Sequence, residues 1–313
     1  MLNSMAVVLE APGRLKLSPL EIDAPQAADV VVETLWTGVS GGTERLLFTG
    51  RMPSFPGMGY PLVPGYETVG RVVESGALSG VAVGTGVFVP GAKCYGAVRG
   101  LHGGAASRLV VPGARVIPIP DALGEQGVLF ALAATALHAL AGSPACAAPL
   151  IVGHGVVGRL LARLVLARGG VPPVVWETNP KRAGGADGYR VVAPEADEGA
   201  RYGTIFDASG DSGILDSLIQ HLAPGGEIVL AGFYDRPSFS FPPAFMREAR
   251  IRISAAWGEG DLVRVARMVA EGALSLDGLI THRRSAADAP EAYAAAFDDP
   301  DCVKMTLDWR SLS

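Results

Sequence analysis

"LIVGHGVVGRLLARLVLARGG", residues 150–170, sets an apolar run against a glycine turn and then a helical pattern. Gly153, Gly155 and Gly158 give the spacing G-x-G-x-x-G. Such a triplet alone is a weak signal, but its surroundings strengthen it. "PLIV" before it reads as a strand. The helix predicted over 156–168 places Leu160, Leu161, Leu164 and Val165 on one face. A second strand, "PVVWE", ends at Glu177, 19 residues beyond Gly158. Strand, glycine turn, helix, strand and acid in this order form the dinucleotide fingerprint.

Each part has a physical task. Gly153 permits the tight turn, Gly155 lets the backbone approach a pyrophosphate, and Gly158 lets the helix pack close to the sheet. The helix tip offers unpaired N–H groups and the positive end of a dipole, so His154, Val156 and Val157 are expected to contribute main-chain contacts. Glu177 would accept hydrogen bonds from ribose hydroxyls and repel a 2′-phosphate, which favours NAD over NADP. Lys181 and Arg182 lie nearby and weaken that preference. Strand ends at Asp207, Ser209, Gly232 and Phe233 are further candidate cofactor contacts, as is Thr135 on the helix entering this region. The competing reading is a structural glycine turn in a non-binding α/β domain. One departure is visible. Only "KRAGGADG" separates "VVWETNP" from "YRVV", too little for a full crossover helix. A turn is expected there, leaving the adenine end more open.

The chain has 313 residues, enough for one large domain or two ordinary ones. It is 49% hydrophobic and 18% charged, so a sizeable core is available. A net charge of −5 with no long basic run argues against a nucleic-acid partner. There is no stretch of 18 apolar residues and no secretory leader pattern at the N-terminus, so the expected location is cytoplasmic, with peripheral membrane association left open. Cys94, Cys146 and Cys302 are isolated and make neither a disulfide framework nor a zinc pattern.

Residues 1 to about 120 read as short Val-rich strands, among them "MAVVLE", "LKLSPLEI", "DVVVETLWTGVS" and "ETVGRVVESG", in the manner of a small barrel. The connector over 49–65 holds four prolines and four glycines, and its length suggests a functional loop. From about 124 strands alternate with helices, which implies a parallel sheet. Helices are expected over 125–142, 156–168 and 211–222. The predicted boundaries are 1–135, 136–258 and a return segment, 259–313.

This order of domains resembles the medium-chain dehydrogenase/reductase family, the zinc alcohol dehydrogenases and their zinc-free relatives. "TGVSGGTERLLFTG" sits where that family carries a "GxCxTD" turn, and "VPGYETVGRVVESG" where it carries "PGHExxGxV". "ALAATALHAL" and "LITHR…APEAYAAAF" resemble its linking helix and its C-terminal return. The resemblance covers essentially the whole chain. It implies an α/β architecture: a GroES-like β-barrel catalytic domain plus a Rossmann doubly wound parallel sheet. It also implies a homodimer as one possible assembly. The family's zinc ligands fall here on Ser40 or Gly41, on Tyr66 and near Ala131, and the structural-zinc loop over 91–107 keeps only Cys94. None is a good set of ligands, so no metal is expected. Without a Lewis acid, the alcohol proton needs another acceptor. Tyr66 and Thr43 are the candidates by position, with Glu67 polarising either. The alternative is that Tyr66 only fills the vacated metal pocket and Thr43 caps a turn.

"SGGTERLLFTGRMPSFPGMGYPLVPGYE" is similar to the branch of that family that acts in bacteriochlorophyll synthesis. That resemblance implies NAD-dependent alcohol oxidation on a tetrapyrrole of the bacteriochlorophyllide type. Met52, Phe55, Met58 and Tyr60 then offer apolar and aromatic surface to a flat macrocycle. Arg51, Lys93 and Arg99 are candidate partners for its propionate. His138 is read as packing, His102 as a loop residue or base, His221 as a helix-end residue and His282 as exposed. The rival functions are a zinc-free NADPH quinone or enone reductase and a non-catalytic NAD-binding sensor.

Overall fold

A computed structural model describes residues 2–143 and 147–312; Cys146 lies outside the described residues. The chain divides into two units, residues up to 131 together with those from 280, and residues 132–279.

The first unit begins with a hairpin, β1 (Leu2–Ala11) and β2 (Arg14–Ile22). Pro12-Gly13 turns it, with Gly13 at φ 73°, a conformation glycine adopts without strain. Then come β3 (Asp29–Val39), α1 (Thr43–Thr49), β4 (Thr68–Ser75), β5 (Gly86–Val89), β6 (Arg108–Pro112) and β7 (Ile117–Pro118). A 3-10 run over Asp121–Leu129, broken at Gly124, leads into α2 (Phe130–Ala139). The single helix expected over 125–142 is α-helical only over Phe130–Ala139; its first turn is 3-10, part of a run from Asp121 that breaks at Gly124 (φ 52°, ψ −134°), ahead of the expected start.

The second unit holds β8 (Leu150–Val152), α3 (Val156–Ala167), β9 (Val174–Trp176), β10 (Arg190–Val192) and β11 (Tyr202–Asp207). It continues with α4 (Leu215–Gln220), β12 (Leu222–Leu230), α5 (Phe241–Met246), β13 (Arg250–Ile253) and α6 (Asp261–Ala270). Its sheet is parallel in the order β10-β9-β8-β11-β12-β13, the doubly wound order expected of a dinucleotide domain. The helix expected over 211–222 shrinks to α4. Asp211 Oδ1 accepts from Gly213 N (2.9 Å) and Ser209 Oγ from Asp211 N (3.1 Å), and this turn chemistry delays the helix.

The chain returns to the first unit as β14 (His282–Ser285), α7 (Ala289–Asp298) and β15 (Met305–Asp308). β14 was not expected from the sequence. The first unit's larger sheet runs β14-β15-β3-β4-β5-β7, with β6 paired to β3. The return starts at 280 rather than 259 because the α6 region is tied to the second unit. Asp261 Oδ2 meets His138 Nδ1 at 3.1 Å, and Arg163 donates to the carbonyls of Ser275 and Asp277, both at 2.8 Å. His138 is therefore a tie between α2 and α6 rather than plain packing.

The first unit is held by a Val-rich core that includes Val30, Val31, Val32, Val72, Val87 and Val89. α7 adds Ala289, Ala292, Tyr293 and Phe297, which pack with Met305, Leu307 and Trp309. Each large side chain so buried contributes roughly 1.5–3 kcal/mol relative to exposure. The second unit's core gathers Leu150, Val152, Trp176, Ile205, Leu218 and Ile228.

Candidate active site

The antiparallel register of β3 and β4 pairs Thr37 with Thr68. Residues 38–40 therefore lie beside 66–67, and Gly38 N donates to Glu67 O at 2.8 Å. On this scaffold Tyr66 Oη donates to Ser40 Oγ at 2.8 Å. Thr43, the first residue of α1, also bonds the Tyr66 hydroxyl through its side chain. The structure thus brings Tyr66, Thr43 and Glu67 together and selects Ser40 over Gly41 as the partner. Ser40 and Tyr66 are both buried. Burial first, and then the Glu67 carboxylate, push the Tyr66 phenol well above its ordinary value. Tyr66 is accordingly a neutral hydrogen-bonding group at neutral pH. Its hydroxyl hydrogen is directed at Ser40 Oγ.

Beneath these hydroxyls lies a cluster of charge that the sequence did not reveal. Glu44, Glu67 and Lys304 are each no more than 1% exposed. Met305 pairs with Val39, so Lys304 falls beside the end of β3. Its Nζ is ion-paired to Glu67 and donates to Val39 O at 3.0 Å. Glu67 Oε1 has no hydrogen-bond partner among the described residues. Glu44 Oε1 accepts from Ser40 N (3.1 Å) and its Oε2 accepts from Tyr293 Oη (2.7 Å). Two carboxylates thus share one ammonium. Burial lifts the Glu44 carboxyl to about 7, Tyr293's hydrogen bond opposes the rise, and Glu67 adds to it. Burial raises Glu67 as well, against the pull of Lys304. Gly38 is required by this packing, since a Cβ there would stand 2.0 Å from Glu67 Oε2.

His102 closes one side. Its ring meets Tyr66 edge to face, with centroids 5.1 Å apart. Its backbone is left-handed, φ 67°, and its carbonyl accepts from Ala92 N at 2.7 Å. The side chain reaches solvent, yet its packed surroundings, and secondarily Lys93, hold its pKa below the usual histidine value.

In the second unit the glycine turn has the geometry expected of it. Gly153 takes φ 92°, and a Cβ at Gly158 would lie 1.8 Å from Gly153 O. Gly155 precedes α3, with open space where its Cβ would be. The N–H groups of Val156, Val157 and Gly158 stand in the helix's first turn, where no carbonyl of the helix can reach them. His154 differs from expectation. Its N–H donates to Glu177 Oε2 (2.9 Å), so it is not free to hold a phosphate. Its imidazole lies between Arg182 O (Nδ1, 2.6 Å) and Tyr189 Oη (Nε2, 2.8 Å). Glu177 Oε1 accepts from Asn179 N at 2.8 Å. Each oxygen thus has one donor and keeps room for another.

Arg159, which the helical pattern did not single out, is buried. It donates to the carbonyls of His154, Arg182 and Gly184, each at 2.9 Å. These contacts fasten the short connector, a single 3-10 turn over Pro180–Arg182, in place of a crossover helix. Ser209 is exposed at the end of β11 and donates its N–H to Asp207 Oδ1 at 2.9 Å. Asp207 is fully buried, its Oδ2 has no partner among the described residues, and burial raises its pKa. Gly232 and Phe233 follow β12, and Phe233 is 45% exposed. Thr135 is half-buried on α2.

The 49–65 connector divides the substrate candidates. Met52 is buried with Leu9, Leu47 and Leu62, with Met58 and Tyr60 against the same cluster. Tyr60 Oη donates to Leu47 O. Met52 is therefore core rather than ligand surface, because the Leu9–Leu62 bridge draws the loop onto β1. Phe55, Arg51, Lys93 and Arg99 are exposed, and Arg99 also donates to Tyr60 O at 3.4 Å. His221 ends α4, with Nδ1 against Ser217 O at 3.1 Å. His282 is half-buried rather than exposed, its Nε2 3.2 Å from Asp299 Oδ2.

Among the described residues no group of three or more His, Cys, Asp or Glu side chains comes together as a metal site. Ser40 and Tyr66 bond each other, Ala131 is a buried methyl, and Cys94 is a buried thiol whose pKa burial raises. This is not a donor set that fits zinc.

Residues 26–121 match the alcohol dehydrogenase GroES-like domain. Over 316 residues the chain is 54% identical to the 2-desacetyl-2-hydroxyethyl bacteriochlorophyllide A dehydrogenase of Cereibacter sphaeroides, with 99% of each chain covered. It is 53% identical over 311 residues to the protein of the same name from Rhodobacter capsulatus, again with 99% of each covered. The chain belongs to the bacteriochlorophyllide A dehydrogenase family. Members of this family are medium-chain dehydrogenases/reductases, and this chain is an oxidoreductase acting on CH–OH groups. In fold it is similar to the L-idonate 5-dehydrogenase of Escherichia coli, with a TM-score of 0.86 at 18% identity and 98% of both chains covered. No described helix is long and apolar enough to cross a membrane.

Proposed function

We propose that the protein oxidises the 3-(1-hydroxyethyl) group of a bacteriochlorophyllide a precursor to a 3-acetyl group, with NAD as hydride acceptor and without zinc. The relatives' names and their identity over the whole chain support the substrate. The observation that carries the metal-free reading is the bond between Tyr66 and Ser40, which joins two hydroxyls at positions where the wider family holds a metal.

Gly155, Val156 and Val157 would hold a pyrophosphate at the helix tip, and Glu177 the adenosine ribose. When bound, the nicotinamide supplies the acceptor for the hydride. Tyr66 and Thr43 would orient the substrate hydroxyl, while Glu44 holds the Ser40 backbone beside them and Glu67 stays paired with Lys304. Arg51, Lys93 and Arg99 are proposed partners for the macrocycle's carboxylate, and Phe55 a surface for its ring. The protein is proposed to act in the cytoplasm.

The test uses purified protein with 3-hydroxyethyl bacteriochlorophyllide and either NAD or NADP, following the red-shifted absorbance of the acetyl product. Turnover should proceed with NAD, be weaker with NADP, and survive a strong chelator. No product with either coenzyme would refute the reading. One tightly held zinc per active chain would refute its metal-free part.

A further inference from the structure

The oxidation removes a hydride and a proton, and the proton needs a home. Tyr66 is held neutral, and its hydroxyl hydrogen is engaged by Ser40. Glu44 has each oxygen occupied by a donor. Glu67 is fully enclosed and paired with Lys304, so a proton taken there has no direct exit. One titratable side chain beside these hydroxyls also reaches solvent.

The protein has five histidines. His138, His154, His221 and His282 each have a ring nitrogen committed to a side chain or carbonyl. Among the described residues, His102 alone has neither ring nitrogen in a hydrogen bond. It is also the histidine whose ring lies against Tyr66. Its edge reaches solvent, which gives a captured proton a way out. Its backbone is left-handed, a conformation that costs a side-chain-bearing residue and that glycine would adopt freely. Gly103 beside it has φ 66°, so the turn accepts glycine. The left-handed backbone at His102 is a local cost that the fold carries beside Tyr66.

We propose that His102 is the catalytic base that takes the proton of the substrate hydroxyl. The proposal rests on the dehydrogenase reading above. As the carbinol C–H bond breaks, its electron pair leaves with the hydrogen to the nicotinamide. The O–H bond breaks, its proton adds to a free ring nitrogen of His102, and the O–H electron pair forms the C=O bond. The imidazolium then returns the proton to water. The groups facing the ring are the Lys93 ammonium and the Tyr66 phenol, and Lys93 helps keep the resting imidazole neutral.

The test compares wild type, His102→Gly and His102→Asn, measuring the single-turnover rate of NADH formation with hydroxyethyl bacteriochlorophyllide and NAD. Both variants suit the left-handed backbone, and a thermal melt confirms folding. The rate should fall about 10²–10⁴-fold in both, with NADH affinity unchanged. Free imidazole should restore a large part of the rate to His102→Gly, and the acid limb of the wild-type pH profile should vanish in both variants. A rate within about threefold of wild type, or a slow His102→Gly that imidazole leaves unchanged, would overturn the assignment. An inactive wild type would instead refute the dehydrogenase reading.

Discussion

Glu44→Gln probes the surplus carboxylate under Tyr66. Burial lifts the Glu44 carboxyl from its ordinary 4.5 to about 7. The native protein therefore holds a proton that the unfolded chain has already released. The sign follows from that. A carboxyl raised on folding stabilises most below about pH 4.5, and this stabilisation is lost as pH climbs through about 7. A rise of about 2.5 units at about 1.36 kcal/mol each makes the loss roughly 3 kcal/mol. Gln carries no such proton but fits the site. Its oxygen can accept from Ser40 N–H, and its amide can donate to Tyr293 Oη, which turns to accept. Urea unfolding of both proteins at about pH 5 and about pH 8 reads the difference. Because the lower pH already lies above the unfolded value, the variant should gain about 2.5 kcal/mol on wild type between the two conditions. Parallel stability curves across this range would show that the Glu44 proton is not held as described.

Other consequences are equally direct. Tyr66→Phe removes the bond to Ser40 and should slow alcohol oxidation by about tenfold, in line with one lost hydrogen bond; near-normal turnover would remove the tyrosine from the mechanism. Gly158→Ala places a methyl 1.8 Å from Gly153 O; NADH binding, followed by fluorescence titration, should be lost, and full affinity would contradict the glycine turn's role. Lys304→Met leaves Glu67 buried and unpaired, which should cost about 3–5 kcal/mol by urea unfolding. Adding Glu67→Gln should recover much of that loss, and strict additivity of the two changes would show that the pair is not coupled.

The second unit was legible because its signals are local. A glycine turn, an apolar helix face and an acid at a fixed interval all fall within one short stretch, and the strand order follows from alternating elements. The site in the first unit was only partly legible. Tyr66, Thr43 and Glu67 stood out by position, but Ser40 and Gly41 could not be separated until the β3–β4 register placed one of them on the phenol. Glu44 and Tyr293 meet across 249 residues of chain, and no spacing rule announces such a meeting. Met52 shows the opposite failure. An apolar residue in a long loop reads equally well as ligand surface or as a plug, and only the Leu9–Leu62 bridge decides for the plug. Arg159 sits one step from an apolar helix face, and its partners are carbonyls of a connector whose path periodicity does not describe.

That connector bears on engineering. A standard crossover helix could not simply be grafted between β9 and β10. Arg159 and His154 would lose the carbonyls of Arg182 and Gly184 and the hydroxyl of Tyr189 that now satisfy them. The transplant would leave a guanidinium and an imidazole stranded behind the glycine turn. Positions 154, 159 and 189 would have to be exchanged as a block together with the loop, and in any redesign they behave as one heritable part.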